Sequence, residues 1–209
     1  MDMKQSRRFL LTLAALYWAL VVMIYAVAGQ QFHMTAVTTD ALSAMSVIGE
    51  IADGTVVTQR LTAPADQLTA LEIMAHTYGR VNTGTLNLRL TNGEGQEIAR
   101  QSVDVSTFEN GKYTVIPLEQ TMPAVRGEAL TLTMSTQGCA PGNAVTFYYG
   151  NQVTTGRFDI VQNIGEEDLY TFNGAAGAGR LCIRLNGVRA LSFYKTYWMI
   201  TAGIFAALG

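Results

Sequence analysis

The chain has 209 residues, 49% of them hydrophobic and only 14% charged, against about a quarter charged in an average soluble protein. That shortfall points to membrane segments. A net charge of −2 gives no basic field for nucleic acid. Two cysteines are too few for a disulfide scaffold or a Cys-rich zinc domain.

Lys4, Arg7 and Arg8 oppose Asp2 in residues 1–8, and residues 9–28 carry no charge. An uncharged run of this length matches a helix crossing a hydrocarbon layer of roughly 30 Å. Residues 29–190 hold ten basic and fifteen acidic residues, a net of −5. A basic end, an apolar span and an acidic middle follow the positive-inside rule. The sequence therefore predicts a plasma-membrane protein with a cytoplasmic N-terminus, a transmembrane helix within 1–28 and residues 29–190 extracytoplasmic. Ala26-Val27-Ala28 before Gly29 also resembles a signal-peptide cleavage site. A signal core is only about 7–15 residues long, which favours a retained anchor.

Residues 29–54 read as a neck. Within them Leu42, Met45 and Ile48 have helical spacing, so a short helix or an irregular connection is expected.

From 55 to 190 the pattern changes to period two, the mark of half-buried strands. Leu71, Ile73 and Ala75 alternate with Glu72 and Met74; Leu86, Leu88 and Leu90 with Asn87 and Arg89. Leu130, Leu132 and Met134 alternate with Thr131 and Thr133; Leu181, Ile183 and Leu185 with Cys182 and Arg184. Further strands are expected at Val56–Leu61, Ile98–Val105, Tyr113–Leu118 and Val145–Tyr149. Asn92-Gly93, Asn110-Gly111, Pro141-Gly142 and Asn186-Gly187 read as the turns between them. The result is an all-β antiparallel sandwich of about eight strands, better suited to a jelly roll than to an immunoglobulin sandwich, whose Cys…Trp…Cys pattern is missing. The tract Gly174–Gly179 reads as a flexible loop. It lacks the Lys and Ser/Thr of a phosphate cradle.

After Ala190 come Phe193, Tyr194, Lys195, Tyr197 and Trp198, a mixture suited to a membrane interface, and then an apolar run to Gly209. Thirteen residues from Tyr197 make about 20 Å of helix, too short to cross. Residues 191–209 therefore read as the truncated start of a second transmembrane helix, with further spans expected beyond. A short helix packed on the sandwich is the alternative.

Chemistry-bearing residues are sparse. His33 and His76 are the only histidines. No HExxH, EF-hand loop or G-x-S-x-G elbow occurs. Asp53, Asp66 and Glu72 are far apart in sequence, and only folding could gather them around calcium. Glu166-Glu167-Asp168 reads as a solvated acidic loop. No catalytic residue, cofactor or metal ligand is assigned.

Sugar sites combine aromatic faces with planar polar groups. Tyr78, Tyr113, Tyr148, Tyr149 and Tyr170 could supply the first, and Arg80, Asn82, Arg89 and Asn151 the second. The expected ligand patch is Tyr78, Arg80 and Asn82 with Tyr148 and Tyr149. Both tryptophans, Trp18 and Trp198, lie in the membrane segments, which weakens the glycan reading. In the competing reading Thr77-Tyr78-Gly79 turns the chain and Arg80 stacks over the tyrosine. Cys139 and Cys182 would bridge in an oxidising compartment if folding brings them close, or remain separate thiols.

The stretch Gln59-Arg60-Leu61, then LEIMAHTYGRVNTGTLNLRLTNGEGQEI (71–98), then VTFYYGNQ (145–152) carries a resemblance. Its most recognisable piece is Thr77-Tyr78-Gly79-Arg80-Val81-Asn82 followed by Gly84. Over roughly 55–190 the order resembles an extracytoplasmic jelly-roll domain near the start of bacterial multi-span membrane proteins. Many of those are uncharacterised. Others look like glycosyltransferases or polymerases that use lipid-linked sugars for cell-surface polysaccharides. The resemblance transfers no catalytic residue, and the catalytic part of such an enzyme would lie outside these residues.

The expectation is thus a noncatalytic extracytoplasmic module. It would bind or position glycan, or brace membrane spans. Its partners would be the bilayer, cell-surface glycan or lipid-linked sugar, and further spans of the same polypeptide, with no nucleic acid. The alternatives are the front of a glycosyl-transferring membrane enzyme and a free-standing anchored sensor or adhesion domain.

Overall fold

A computed structural model of the chain describes residues 3–28, 34–123, 126–155, 160–163 and 169–190. The acidic run 166–168 and the C-terminal aromatic and apolar run lie outside the described residues. The chain divides into two compact units, one made of Met1–Thr35 with Ala190–Gly209, the other of Ala36–Arg189.

The first unit contains the helix α1, Met3–Ala28. No Gly or Pro interrupts it, and Leu and Ala dominate its middle, which favours helix over other backbone states. Its exposed side chains include Phe9, Leu11, Leu13, Leu16, Leu20, Val22 and Met23. At about 100° per residue, Phe9, Leu13, Leu16 and Leu20 share one side, while Leu11 and Val22 lie opposite. Within α1 the side chains of residues 8–23 are described, and among the described residues no helix is long and apolar enough to cross a membrane, so the transmembrane helix expected within 1–28 rests on the sequence alone.

The second unit is all β. Its strands are β1 Met34–Thr38, β2 Ser46–Val47, β3 Val56–Thr62, β4 Gln67–His76, β5 Thr85–Thr91, β6 Glu97–Asp104, β7 Lys112–Pro123 and β8 Ala129–Gln137. Then come β9 Thr146–Gly150, β10 Gln152–Thr155, β11 Ile160–Asn163, β12 Thr171–Phe172, β13 Ala175–Ala176, β14 Arg180–Leu181 and β15 Ile183–Ala190. Seven strands form one sheet in the order β1-β15-β4-β9-β14, with β7 on the other flank of β4 and β2 beside β9. Six form the second, β13-β12-β3-β8-β5-β6, and β10 pairs with β11 separately. The described pairings are antiparallel.

Period-two alternation decides which side chains meet between the sheets. Leu71, Ile73 and Ala75 of β4, with Ile183 and Leu185 of β15, face Leu86, Leu88 and Leu90 of β5 and Leu130, Leu132 and Met134 of β8; all are buried. Polar side chains join this core, among them Gln59. Gln59 of β3 is buried, accepts from the Leu181 N–H of the opposite sheet at 2.9 Å and donates to its neighbour's carbonyl at 2.8 Å. Both ends of its amide are paired, which removes most of the cost of burying it.

Three segments refine or depart from the sequence reading. Residues 36–52 take the irregular of the two expected forms, with the end of β1 and the short β2 in it and no helix. Thr39 exchanges bonds with Leu185 through N–H to carbonyl at 3.1 Å and Leu185 N–H to Oγ1 at 3.0 Å, and β2 pairs with β9. Leu42 is buried here, so tertiary contacts override its helical spacing. Second, Asn186-Gly187 is no turn: it is a β-bulge inside β15. A Cβ at Gly187 would lie 2.4 Å from the Gln67 carbonyl, which is why glycine stands there. Third, the expected flexible loop contributes β13. Asn173 (φ 49°) and Gly174 (φ 82°) make the tight turn of the β12–β13 hairpin, fastened by the Val56 N–H to Asn173 Oδ1 at 2.8 Å.

Candidate functional site

Four connections meet at one end of the sandwich: residues 48–55, 77–84, 108–111 and 138–145. His76 ends β4, and the chain then turns sharply. Tyr78 takes φ 56° and Gly79 φ 71°. For a tyrosine this left-handed backbone is uncommon and costs about 1–3 kcal/mol, so its surroundings must fix it. They do. The Tyr78 N–H donates to His76 Nδ1 at 3.2 Å, Thr77 N–H to Asn110 Oδ1 at 2.9 Å, and Arg80 N–H to the Thr77 carbonyl at 3.2 Å.

Arg80 is the hub. Its guanidinium pairs with Glu50, donates from Nε to Asn82 Oδ1 at 2.9 Å and from Nη2 to the Ala144 carbonyl at 3.3 Å, and lies 4.7 Å from the centre of the Tyr78 ring. Glu50 also accepts the Gly142 N–H at 2.8 Å. Asn82, 1% exposed, donates to the Thr77 carbonyl at 3.2 Å. Asp53 accepts the N–H groups of Gly138 and Cys139 at 2.9 Å each, and Asn143 and Thr83 exchange bonds of 3.0 and 2.7 Å. Acids thus clamp the 138–145 loop from one side and the Tyr78–Asn82 loop grips it from the other.

The expected patch is therefore only partly assembled. Tyr78, Arg80 and Asn82 do come together, and Tyr148 joins through His76, whose ring sits edge-on to Tyr78 at 4.7 Å and to Tyr148 at 5.5 Å. Tyr149 does not join: successive strand residues face opposite ways, and its ring lies 5.5 Å from Tyr170 on the core side. Asn82 is buried, so its amide is closed to a ligand. Tyr78 is 39% exposed and Val81 80%. Glu50 was not singled out by sequence reading. Its only local signal is an acid between Ile48 and Ile51, and its partner lies thirty residues away.

The Gly142 N–H, and next the Arg80 guanidinium, hold the Glu50 carboxyl below its usual 4.5. A lowered carboxylate pKa stabilises the fold above the unfolded value, and that contribution is lost as pH falls through the folded value. The Glu50→Gln variant should accordingly lie about 1 kcal/mol below the native chain at neutral pH, a partly exposed pair being worth no more. The gap should close once the pH drops well under 4.5. Urea denaturation across that range checks it; a gap independent of pH would show that the charge contributes nothing.

On the outer face of the seven-stranded sheet Glu72 does not join His76. It accepts from Asn186 Nδ2 at 2.6 Å and from Arg184 Nη1 at 3.4 Å, while Arg184 covers the Tyr113 ring at 3.8 Å. Cys139 and Cys182 are both buried free thiols. Cys139 Sγ sits 3.5 Å from the Thr83 carbonyl, while Cys182 marks the point where the chain leaves β9 for β4, its N–H on Tyr148 and its carbonyl on Met74. Burial pushes Cys182 up to about 11. Among the described residues no group of three or more His, Cys, Asp or Glu is placed to hold a metal ion. Between β6 and β7 a small apolar recess is lined by Leu88, Leu90, Ile116 and Leu118, with Arg100 and Gln101 also at it.

No protein-family model matches the chain, and no curated protein does. Among solved structures it is similar to CsCBM6-3 from Clostridium stercorarium, solved in complex with cellobiose, at 13% identity over 66% of this chain and 94% of that one, with a TM-score of 0.28. It is also similar to the VP2 subviral particle of infectious bursal disease virus, at 12% identity over 83% of this chain and 48% of that one, with a TM-score of 0.32. The Gt strain of that virus gives 13%, 76%, 37% and 0.32 in the same order. The matched region spans less than half of each of these viral chains. None of these likenesses bears on ligand or partner.

Proposed function

We propose that this chain is a noncatalytic β-sandwich module held at a bilayer through residues 9–28, with the sandwich on the extracytoplasmic side. The observation that carries the proposal is α1. From Phe9 onward its apolar side chains are exposed on opposite sides, so that stretch has no polar face to turn to water, and Lys4, Arg7 and Arg8 stand in its first two turns. A helix apolar all round belongs in lipid or in a protein interior, and a basic flank sets its orientation. At the loop end the polar atoms of Arg80 and Asn82 are used within the fold. That supports a bracing role there over glycan capture.

The test uses the native chain and one reporter. Cys139 and Cys182 are buried, so a single exposed thiol is introduced by Val81→Cys. The chain should stay with the membrane through alkaline carbonate washing. Release into the supernatant would overturn the anchor. A membrane-impermeant maleimide should label the variant in intact cells; labelling only after permeabilisation would overturn the sidedness.

A further inference from the structure

The outer face of the six-stranded sheet is patterned unlike an ordinary solvated face. Register places Thr58, Thr133, Arg89 and Arg100 in one row across four strands. The next row holds Arg60, Thr131 and Thr91, and a third holds Ser135, Asn87 and Ser102. Of the outward residues on β3, β5 and β8 only Val56 and Ala129, at the ends of their strands, are apolar. The central strand β8 presents hydroxyls alone in these rows. Such a face lacks the aromatic and apolar centre of a protein interface. It offers donors and acceptors at the regular spacing of a pleated sheet.

Its charge is unbalanced. Glu97 is gripped by Arg100 through Nε at 2.9 Å and Nη2 at 2.7 Å, and by Arg89 Nε at 2.9 Å. Two guanidinium groups thus share one carboxylate. Arg60, on the other flank of β8, has no ion-pair partner among the described residues. The other acid on this face, Asp104, stands at a far corner and caps the Ser106 N–H at 2.8 Å. The centre of the face is therefore net positive in a region, 29–190, that is net −5. The Glu97 clamp also shows which chemistry fits: a carboxylate taken by the arginine fork. Arg60 and Arg89 flank the Thr131–Thr133 hydroxyls, about 12 Å apart by strand spacing and rise. That separation suits acid groups repeated along a polymer, with hydroxyls between them.

From this juxtaposition we infer that the outer face of β3-β8-β5-β6 binds a linear polysaccharide bearing carboxylates, a polyuronate in chemical class. Arg60 and Arg89 take the acid groups, and Thr131, Thr133 and Asn87 meet the sugar hydroxyls. The inference goes beyond bilayer anchoring and does not depend on it.

The experiment measures retention of the full chain, in detergent micelles, on immobilised polygalacturonate, with neutral dextran and inorganic polyphosphate in parallel. Binding to polygalacturonate should exceed that to both and weaken with added salt. Arg60→Gln and Arg89→Gln should each lower affinity about 5-fold, the worth of one exposed ionic contact, and together by about 20-fold. Thermal melts confirm that the variants fold. Val81→Ser, at the loop end, should bind as the native chain does. Equal retention on dextran, unchanged affinity in the folded double variant, or tighter binding to polyphosphate would each overturn the assignment. Loss of the bilayer anchor in the carbonate test would leave it standing.

Discussion

Replacing Phe147 by Ala should lower the unfolding free energy by about 3–5 kcal/mol, the range for removing a fully buried ring. Phe147 is 0% exposed. It lies on β9, which bonds to β2, β4 and β14, and its ring stands 6.3 Å from that of Phe108. Its carbonyl accepts the Ile48 N–H at 3.1 Å, so the backbone around it is pinned by neighbours on more than one side. A site so restrained cannot collapse into the space left, and the cavity adds to the lost transfer energy. At about 2–4 °C per kcal/mol for a domain of this size, the melting temperature should fall by roughly 10 °C. Val115→Ala is the control. That side chain is 55% exposed on β7, and its loss should change stability by less than about 0.5 kcal/mol. Similar melting temperatures for the two variants would mean that Phe147 is not in the core.

Gly84→Ala should be nearly as damaging for a different reason. Gly84 has φ 118°, a region that residues with a Cβ rarely occupy, and its occupation costs about 1–3 kcal/mol. A Cβ there would lie 2.6 Å from Cys139 Sγ, 2.8 Å from the Gln137 carbonyl and 2.9 Å from the Gly138 carbonyl carbon. Two of the three are backbone and cannot swing away, so overpacking adds about 1–3 kcal/mol more. Gly84 also accepts the Val105 N–H at 3.0 Å, so a shift of its backbone would disturb a second loop. Chemical denaturation should show a loss of about 2–5 kcal/mol, with Gly95→Ala far milder because open space surrounds that glycine. Equal losses at the two positions would leave only the backbone penalty and remove the packing argument.

The core strands were legible because their side chains are sorted by parity. Leu86, Leu88 and Leu90, or Leu130, Leu132 and Met134, point inward in the structure as their alternation implies. The strands β12 and β13 were not legible, since two residues hold too little alternation to register, and of β14 only Leu181 showed, merged into the alternation of β15. Leu42, Met45 and Ile48 misled for a related reason. Their spacing is helical, yet Met45 and Ile48 are tied to β9 by bonds to residues about a hundred positions away, Met45 N–H to the Tyr149 carbonyl at 2.8 Å and Ile48 N–H to the Phe147 carbonyl at 3.1 Å, and Leu42 is buried. Cys182 sits on the outward parity of its strand and is nonetheless fully buried. At the loop end, Tyr78, Arg80 and Asn82 were legible as a group because they are close in sequence. That they spend their polar atoms on one another, on Glu50 and on Ala144 was not, since no local pattern encodes a partner across the sandwich. Tyr148 and Tyr149 were separable in principle: strand parity alone places adjacent tyrosines on opposite faces.

The chain enters the sandwich unit at Ala36, on β1, and leaves it at Arg189, on the neighbouring β15. Adjacent antiparallel strands bring such points to the same end of a sheet. Tension between the two points is then carried by one rung of hydrogen bonds at a time, in the manner of a zip, instead of by many rungs loaded together. The bonds between Thr39 and Leu185 form one such rung, beyond which Leu42 is buried. A modest pull should peel β1 as far as that rung while the rest of the sandwich, whose strands are not in the line of load, stays folded.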